Sequence, residues 1–191
     1  MKVCIFAASS NSLDSIYYSE AKSLGKLLAQ SGHTLIYGGS ERGIMRACAD
    51  GITEQGGKLI GIAPTFFRDA GVISSRCSEV IYTHTMSERK QKMEDLSDAF
   101  IVMPGGIGTF DEFFETITLK QLNVHSKPLA LLNTEGYFNE MILMLKAAAE
   151  KGFLGKNCLN LFQVCSSPAE AVRYIENASS HPIMGSGIKF N

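Results

Sequence analysis

Ala99-Phe100-Ile101-Val102-Met103-Pro104-Gly105-Gly106-Ile107-Gly108-Thr109-Phe110-Asp111-Glu112 is the stretch whose reading decides the fold. Ala99 to Met103 is a short, unbroken apolar run, the pattern of a strand buried on both faces of a parallel sheet. The glycines at 105, 106 and 108 let the backbone turn tightly and come close to a ligand. A helix then opens, and its free N–H groups and positive dipole end favour an anion there. Together these features read as a phosphate cradle formed by Gly105, Gly106, Ile107, Gly108 and Thr109. The same turn also occurs in α/β proteins as a plain connection, with Asp111 and Glu112 complementing the helix dipole.

The helix itself favours the cradle. Phe110, Phe113, Phe114, Ile117 and Gln121 recur at the helical period, so the first four are expected to point into the core. Glu112 is then expected to face away from the sheet, on a second face with Glu115, Thr116 and Leu119. A carboxylate beside a phosphate site, on a face that also carries Leu119, suggests a cleft or a partner subunit more than open water.

Working outward towards the N-terminus, Met86 to Met93 begins a helix with Met93 and Leu96 inward. Arg89 lies four and seven residues before those two and shares their face. A cation in the first turns of a helix opposes the dipole, a cost that a nearby anion offsets; a structural carboxylate is the other partner open to Arg89. Lys90 and Lys92 read as a solvated face. Before this helix stand the strands Glu79 to Thr83 and Lys58 to Ala63, with Thr65 to Cys77 between them expected to be an irregular loop or lid near the site. Thr34 to Tyr37 is another strand, ending in Gly38-Gly39 and a second glycine-led helix that carries Ile44, Ala47, Cys48 and Gly51 inward. Val3 to Ala8 is the first strand. Ser9 to Asn11 and Ser12 then form a polar turn, read as a helix start by good capping residues more than as a ligand loop, before a helix with Tyr17, Ala21, Leu24 and Leu28 inward.

Towards the C-terminus, Leu129 to Asn133 is a strand and Tyr137 to Ala149 a helix with Met141, Leu145 and Ala148 inward. Leu159 to Cys165 is expected to be a last strand and Pro168 to Asn177 a last helix. Strands and helices alternate throughout, which predicts an α/β fold of three layers around an open, mostly parallel sheet. Two glycine turns would lie at its carboxyl edge, where such folds bind ligands. Residues 1–178 form one domain, with 179–191 expected to be a mobile tail.

At 191 residues, 45% hydrophobic and with a formal charge of −1, the chain suits a single hydrophobic core. Its charge gives no electrostatic case for nucleic acid or membrane surfaces, and a basic stripe for single-stranded DNA is lacking. The N-terminal apolar run is too short for a signal peptide, so a cytoplasmic location is expected. The five scattered cysteines contain no C-x-x-C pair, and the four histidines lack metal-ligand spacing. Neither a disulfide framework nor a metal is expected. The usual dinucleotide fingerprint is missing after the first strand. What remains is a cradle for a phosphate, an inward arginine and a carboxylate one turn into the helix. Such a set can hold a sugar phosphate while the carboxylate stabilises oxocarbenium-like charge or orients water.

These residues carry a resemblance. Pro104-Gly105-Gly106-Ile107-Gly108-Thr109 with Glu112 matches P-G-G-x-G-T-x-x-E, and Arg89-Lys90 with Met93 matches the preceding R-K-x-x-M of the LOG (Lonely Guy) family. The match runs on through Gln121-Leu122, His125 to Pro128, Leu132-Asn133 and Gly136-Tyr137, and back to Tyr37-Gly38-Gly39 and Gly43-Ile44-Met45. The chain thus resembles the cytokinin riboside 5′-monophosphate phosphoribohydrolases over nearly its whole length to about Leu154.

The resemblance implies a Rossmann-like nucleotide-binding domain, a homodimer with the site near the subunit interface, and no cofactor. It implies hydrolysis of the N-glycosidic bond of an adenosine 5′-monophosphate bearing an N6 substituent, as cytokinin activation or nucleotide salvage. Arg89 and Glu112 would be the catalytic pair. Lys90, Gly105, Gly106, Ile107, Gly108, Thr109, Asp111, Gly38, Gly39 and Met86 would bind the purine nucleoside 5′-monophosphate. Members often carry the label lysine decarboxylase, a chemistry that normally needs a pyridoxal Schiff-base lysine; nothing in the sequence identifies one. Departures from the family pattern at Ala7-Ala8, Ser40, Arg46, Ser87, Leu119 and Lys120 bear on base preference and on the interface. The alternative from another class is a non-catalytic nucleotide or cofactor carrier or sensor, which would need the cradle but not Glu112.

Overall fold

The computed structural model describes residues 1–155 and 157–180. Seven parallel strands form one sheet in the order β4-β3-β2-β1-β5-β6-β7. In chain order these are β1 (Lys2–Phe6), β2 (Thr34–Tyr37), β3 (Lys58–Pro64), β4 (Glu79–Thr83), β5 (Ala99–Val102), β6 (Leu129–Leu132) and β7 (Gln163–Cys165). The helices are α1 (Ser15–Gln30), α2 (Gly43–Glu54), α3 (Thr65–Asp69), α4 (Met86–Leu96), α5 (Ile107–Gln121), α6 (Asn139–Glu150) and α7 (Pro168–Ser180).

The unbroken apolar runs are explained by the two cores they serve. Val3, Ile5, Leu35, Ala99 and Ile101 face one side with α1, α2 and α7; Cys4, Phe6, Ile36, Phe100 and Val102 face the other with α4, α5 and α6. Side chains alternate across a pleated strand, so a strand covered on both faces must be apolar at every position. Gly25 of α1 and Gly51 of α2 let those two helices touch backbone to backbone: a Cβ on Gly25 would run into the Cys48 carbonyl, and one on Gly51 into that of Lys22.

Chain order and strand order part company once. β1 to β4 step outward in one direction, and the chain then returns so that β5 pairs with β1 on its free side, Val3 opposite Ala99 and Phe6 opposite Val102. The carboxyl ends of β1 and β5 therefore border the switch point, where loops leave in opposite directions and open a crevice. The cradle loop after β5 sits there, tied to the first strand by Ala8 N–H donating to the Pro104 carbonyl at 3.1 Å.

Several sequence expectations need correction. Thr65 to Cys77 is not wholly irregular, since Thr65–Asp69 forms the short helix α3. The last strand is shorter than Leu159 to Cys165: Cys158–Leu161 is a 3-10 turn, and pairing with β6 starts only at Gln163. In α6, Leu145 is buried, while Met141 and Ala148 are only half-buried. Helix α7 runs on to Ser180, and the rest of the expected tail lies outside the described residues.

Candidate active site

Gly106 caps α5 and has no side chain to occupy the helix's first N–H groups, which are left open to a cavity of about 380 Å³. Gly106, Ile107, Gly108 and Thr109 line it from the cradle. A Cβ added at Gly106 or Gly108 would meet no protein atom, so both glycines face open space. Gly105 is constrained differently: its missing Cβ makes room for the Thr109 hydroxyl, which folds back over it. Tyr137 then fixes the Gly105 peptide from the other side, its hydroxyl donating to the Gly105 carbonyl at 2.6 Å. With its dipole and open N–H groups, this helix start suits an anion.

Arg89 and Glu112 meet in the wall of the same cavity. Arg89 Nη1 donates to Glu112 Oε1 at 2.7 Å, and its Nε donates to the Ile62 carbonyl at 3.2 Å. The two side chains are only 8% and 11% exposed, so the pair works in a low-dielectric wall rather than in bulk water. Gly38 makes this geometry possible, because a Cβ there would stand 2.6 Å from Arg89 Nη2. Among the described residues Glu112 Oε2 accepts no hydrogen bond, and it belongs to a side chain that lines the cavity. Burial pushes the Glu112 carboxyl above the usual carboxylate range, and the Arg89 guanidinium acts against that shift.

Glu112 lies in the wall of a cleft, one of the two surroundings its face suggested, with Arg89 of α4 set against it. Along α5, Thr116 and Lys120 follow it at four-residue steps, and both are buried. Helix α4 brings Arg89 against that face, so the side of α5 that sequence periodicity leaves polar is covered by a neighbouring helix. Phe113 and Ile117 are buried as expected, while Phe110 and Phe114 are half-buried.

The remaining candidates divide. Met86 and Asp111 line the cavity with the cradle, Arg89 and Glu112. Lys90 bridges α4 to α5 instead, its Nζ 2.9 Å from Asp111 Oδ2 and 2.9 Å from Glu115 Oε2. Gly38 lies beneath Arg89, and Gly39 adopts φ +73°, a conformation that favours glycine, before its carbonyl accepts from Ser74 N–H at 2.7 Å. Residues not singled out in the sequence complete the walls: Ala7 and Ala8 after β1 and Met45 in the first turn of α2, with Ser9 from the polar turn and Phe67 from the segment expected to lie near the site. Their shared signal is that each follows the carboxyl end of a strand, β1, β2 or β3. The Ser9 to Ser12 turn is therefore more than a helix start. Asn11 Oδ1 accepts from Gly43 N–H at 2.9 Å and so ties the first loop to the second.

Across the cradle lies a second cavity of about 460 Å³, walled by Leu13, Tyr17, Pro104 and Tyr137 among others. It shares Ala8 and Gly106 with the first cavity but contains neither Arg89 nor Glu112.

A family model described as possible lysine decarboxylase matches residues 45–175. The chain is 34% identical to a probable cytokinin riboside 5′-monophosphate phosphoribohydrolase, LOGL2, of Oryza sativa subsp. japonica over 178 residues, covering 93% of this chain and 73% of the relative. It is also 34% identical to cytokinin riboside 5′-monophosphate phosphoribohydrolase LOG5 of Arabidopsis thaliana over 175 residues, covering 92% and 77%. Among solved structures, the molybdenum cofactor carrier protein of Chlamydomonas reinhardtii superposes with a TM-score of 0.72 at 23% identity, covering 94% of this chain and 98% of the other. DNA processing protein A of Helicobacter pylori superposes with a TM-score of 0.55 at 16% identity, covering 96% and 82%. At these identities the structural likenesses speak for the Rossmann-like fold alone. The family match over most of the chain, together with the relatives' identity and coverage, shows that the chain belongs to the possible lysine decarboxylase family that includes the LOG phosphoribohydrolases.

Proposed function

We propose that the protein is a phosphoribohydrolase that cleaves the N-glycosidic bond of adenosine 5′-monophosphate and its N6-substituted forms, giving the free base and ribose 5-phosphate. The observation that carries this reading is the Arg89–Glu112 pair set in the wall of the same cavity as an uncapped helix start. The 5′-phosphate binds at the open N–H groups from Gly106 to Thr109. That anchor places the sugar towards Glu112, whose ionised carboxylate stabilises positive charge developing at C1′ and orients the incoming water. Water oxygen bonds to C1′ as the C1′–N9 bond breaks; the electron pair leaves with the base, and a proton from water ends on it. Arg89 holds Glu112 in place and keeps it ionised, and its own position is fixed by the Ile62 carbonyl.

The decarboxylase description does not fit the cavity. A pyridoxal enzyme holds its cofactor on a lysine, and among the described residues no lysine lines either cavity, while Lys90 is held by two carboxylates. Relatives named as phosphoribohydrolases support the hydrolase reading. We further place the protein in the cytoplasm as a homodimer. Among the described residues no helix is long and apolar enough to cross a membrane. A mass near twice 20.8 kDa by light scattering is the expected result.

The test is release of free base from adenosine monophosphate and from its N6-isopentenyl analogue, with the Glu112→Ala protein alongside. Release that disappears with Glu112→Ala is expected. Tight binding of an intact nucleotide with no release from either would move the protein to the non-catalytic carrier class.

A further inference from the structure

We infer that the cavity across the cradle is a second ligand site, which takes a flat, uncharged or cationic nitrogen heterocycle while a nucleotide occupies the first. Its volume of about 460 Å³ suits a small molecule. Its walls differ in kind from those of the first cavity. Leu13, Tyr17, Pro104 and Tyr137 give it apolar and aromatic surface. Among the described residues that line it there is no lysine, arginine or histidine, and Asp14 contributes the one carboxylate. The Asp14 side chain makes no capping bond to α1, and among the described residues no hydrogen bond or ion pair engages it. A carboxylate without a cation beside it repels a phosphate and accepts N–H groups, so this cavity rejects the nucleotide that the first one suits.

Two tyrosine rings set the shape of the ligand. Tyr17 and Tyr137 meet edge to face with centroids 6.3 Å apart, and Phe138 braces Tyr137 with its own ring centroid at 5.0 Å. Tyr17 is half-buried and Tyr137 41% exposed, so both leave ring surface uncovered. A planar heterocycle stacks on such surface whatever its hydrogen-bonding pattern, and its N–H groups have the Asp14 carboxylate to donate to. The free base that the proposed hydrolysis releases belongs to this class; that link alone rests on the phosphoribohydrolase reading. The site is also joined to the cradle. Gly105 and Gly106 border it, and so does Tyr137, whose hydroxyl donates to the Gly105 carbonyl at 2.6 Å. A ring seated against Tyr137 steadies the loop that faces the phosphate, and by linkage heterocycle and nucleotide then favour each other's binding.

The test asks whether both cavities fill at once. Glu112→Gln protein saturated with adenosine monophosphate is titrated calorimetrically with adenine. Adenine is expected to bind the loaded protein at one site per chain, no more weakly than it binds the free protein. Tyr17→Ala is expected to weaken adenine about tenfold. Asp14→Ala, at an exposed position, should weaken adenine about fivefold and leave adenosine monophosphate affinity within about twofold. Benzoate, a flat ring of the wrong charge, should not bind; binding as tight as that of adenine would overturn the role given to Asp14. Adenine that fails to bind the loaded protein would overturn the proposal, because the ring would then belong to the catalytic cavity. Equal loss of adenine and nucleotide with Asp14→Ala would overturn it too, by showing that this loop only shapes the cradle. Wild-type base release is measured in parallel. If it is absent while adenine still binds the loaded protein, the hydrolase reading fails and the second site stands.

Discussion

At the scale of single residues, the site depends on one buried ion pair and on the glycines that make room for it. If Glu112 acts as the ionised carboxylate of the proposed hydrolase, activity is lost as pH falls and the group takes up a proton. Because burial raises its pKa, the acid limb of kcat/KM is expected above pH 4.5, the ordinary value. A pH profile on adenosine monophosphate checks this; a limb at or below 4.5 would contradict the burial argument. Arg89→Lys keeps the charge but not the planar fork that reaches both Ile62 and Glu112, and it is expected to lower kcat about 10²-fold. Gly38→Ala should resemble it, because the new methyl occupies the space of Arg89 Nη2. A kcat/KM reduced about 10²-fold with a near-normal melting temperature is the expected pair of readings. Tyr137→Phe removes the bond to the Gly105 carbonyl and, with the phosphate bound at the cradle as proposed, should raise the KM for nucleotide more than it lowers kcat, since such a grip serves ground and transition states alike.

At the scale of elements, helix pairs hold the loops in register. Helices α1 and α2 touch through Gly25 and Gly51 on the side of the sheet away from Glu112. Gly51→Ala would force its methyl against the Lys22 carbonyl and part the helices, at a cost of about 1–3 kcal/mol in a urea titration. On the other side, α4 and α5 are joined by Arg89–Glu112 and by Lys90 between Asp111 and Glu115. The existence of these helices was legible in the sequence: the Phe113 and Ile117 spacing and the placing of Arg89 with Met93 both hold. That α4 would supply the wall opposite Glu112 was not. Helical period tells which residues share a face, whereas only the approach of α4 sets Arg89 against Glu112.

At the scale of the whole molecule, Lys120 opposes folding. It is 1% exposed, and among the described residues it has no carboxylate partner. Burial pushes its pKa down to about 8, and it lies near Lys127 and the neutral His125, whose own pKa is pushed down to about 4. Among the described residues His125 Nε2 is buried without a hydrogen bond. The unfolded chain holds the Lys120 proton up to about pH 10.5, whereas the folded chain releases it near pH 8. Between those values the unfolded state binds more protons, so stability rises with pH across that window. Lys120→Met is expected to stabilise the protein by about 1–3 kcal/mol at pH 7, with the gain shrinking as pH climbs from 8 towards 10.5. Denaturant melts of both proteins at several pH values measure it, and a gain that does not vary with pH would mean that packing rather than charge is responsible.

The sequence by itself determined the alternation of strands and helices, the parallel sheet, the glycine turn that opens α5 and the inward face of Arg89. Local periodicity and turn chemistry act over a few residues and can be read along the chain. Tertiary structure alone decided that β5 pairs with β1, that Gly38 lies under Arg89, and that Met45 and Phe67 close the cavity around Glu112. Those relations join positions tens of residues apart, and they are fixed by where the strands fall in the sheet, which no local pattern encodes.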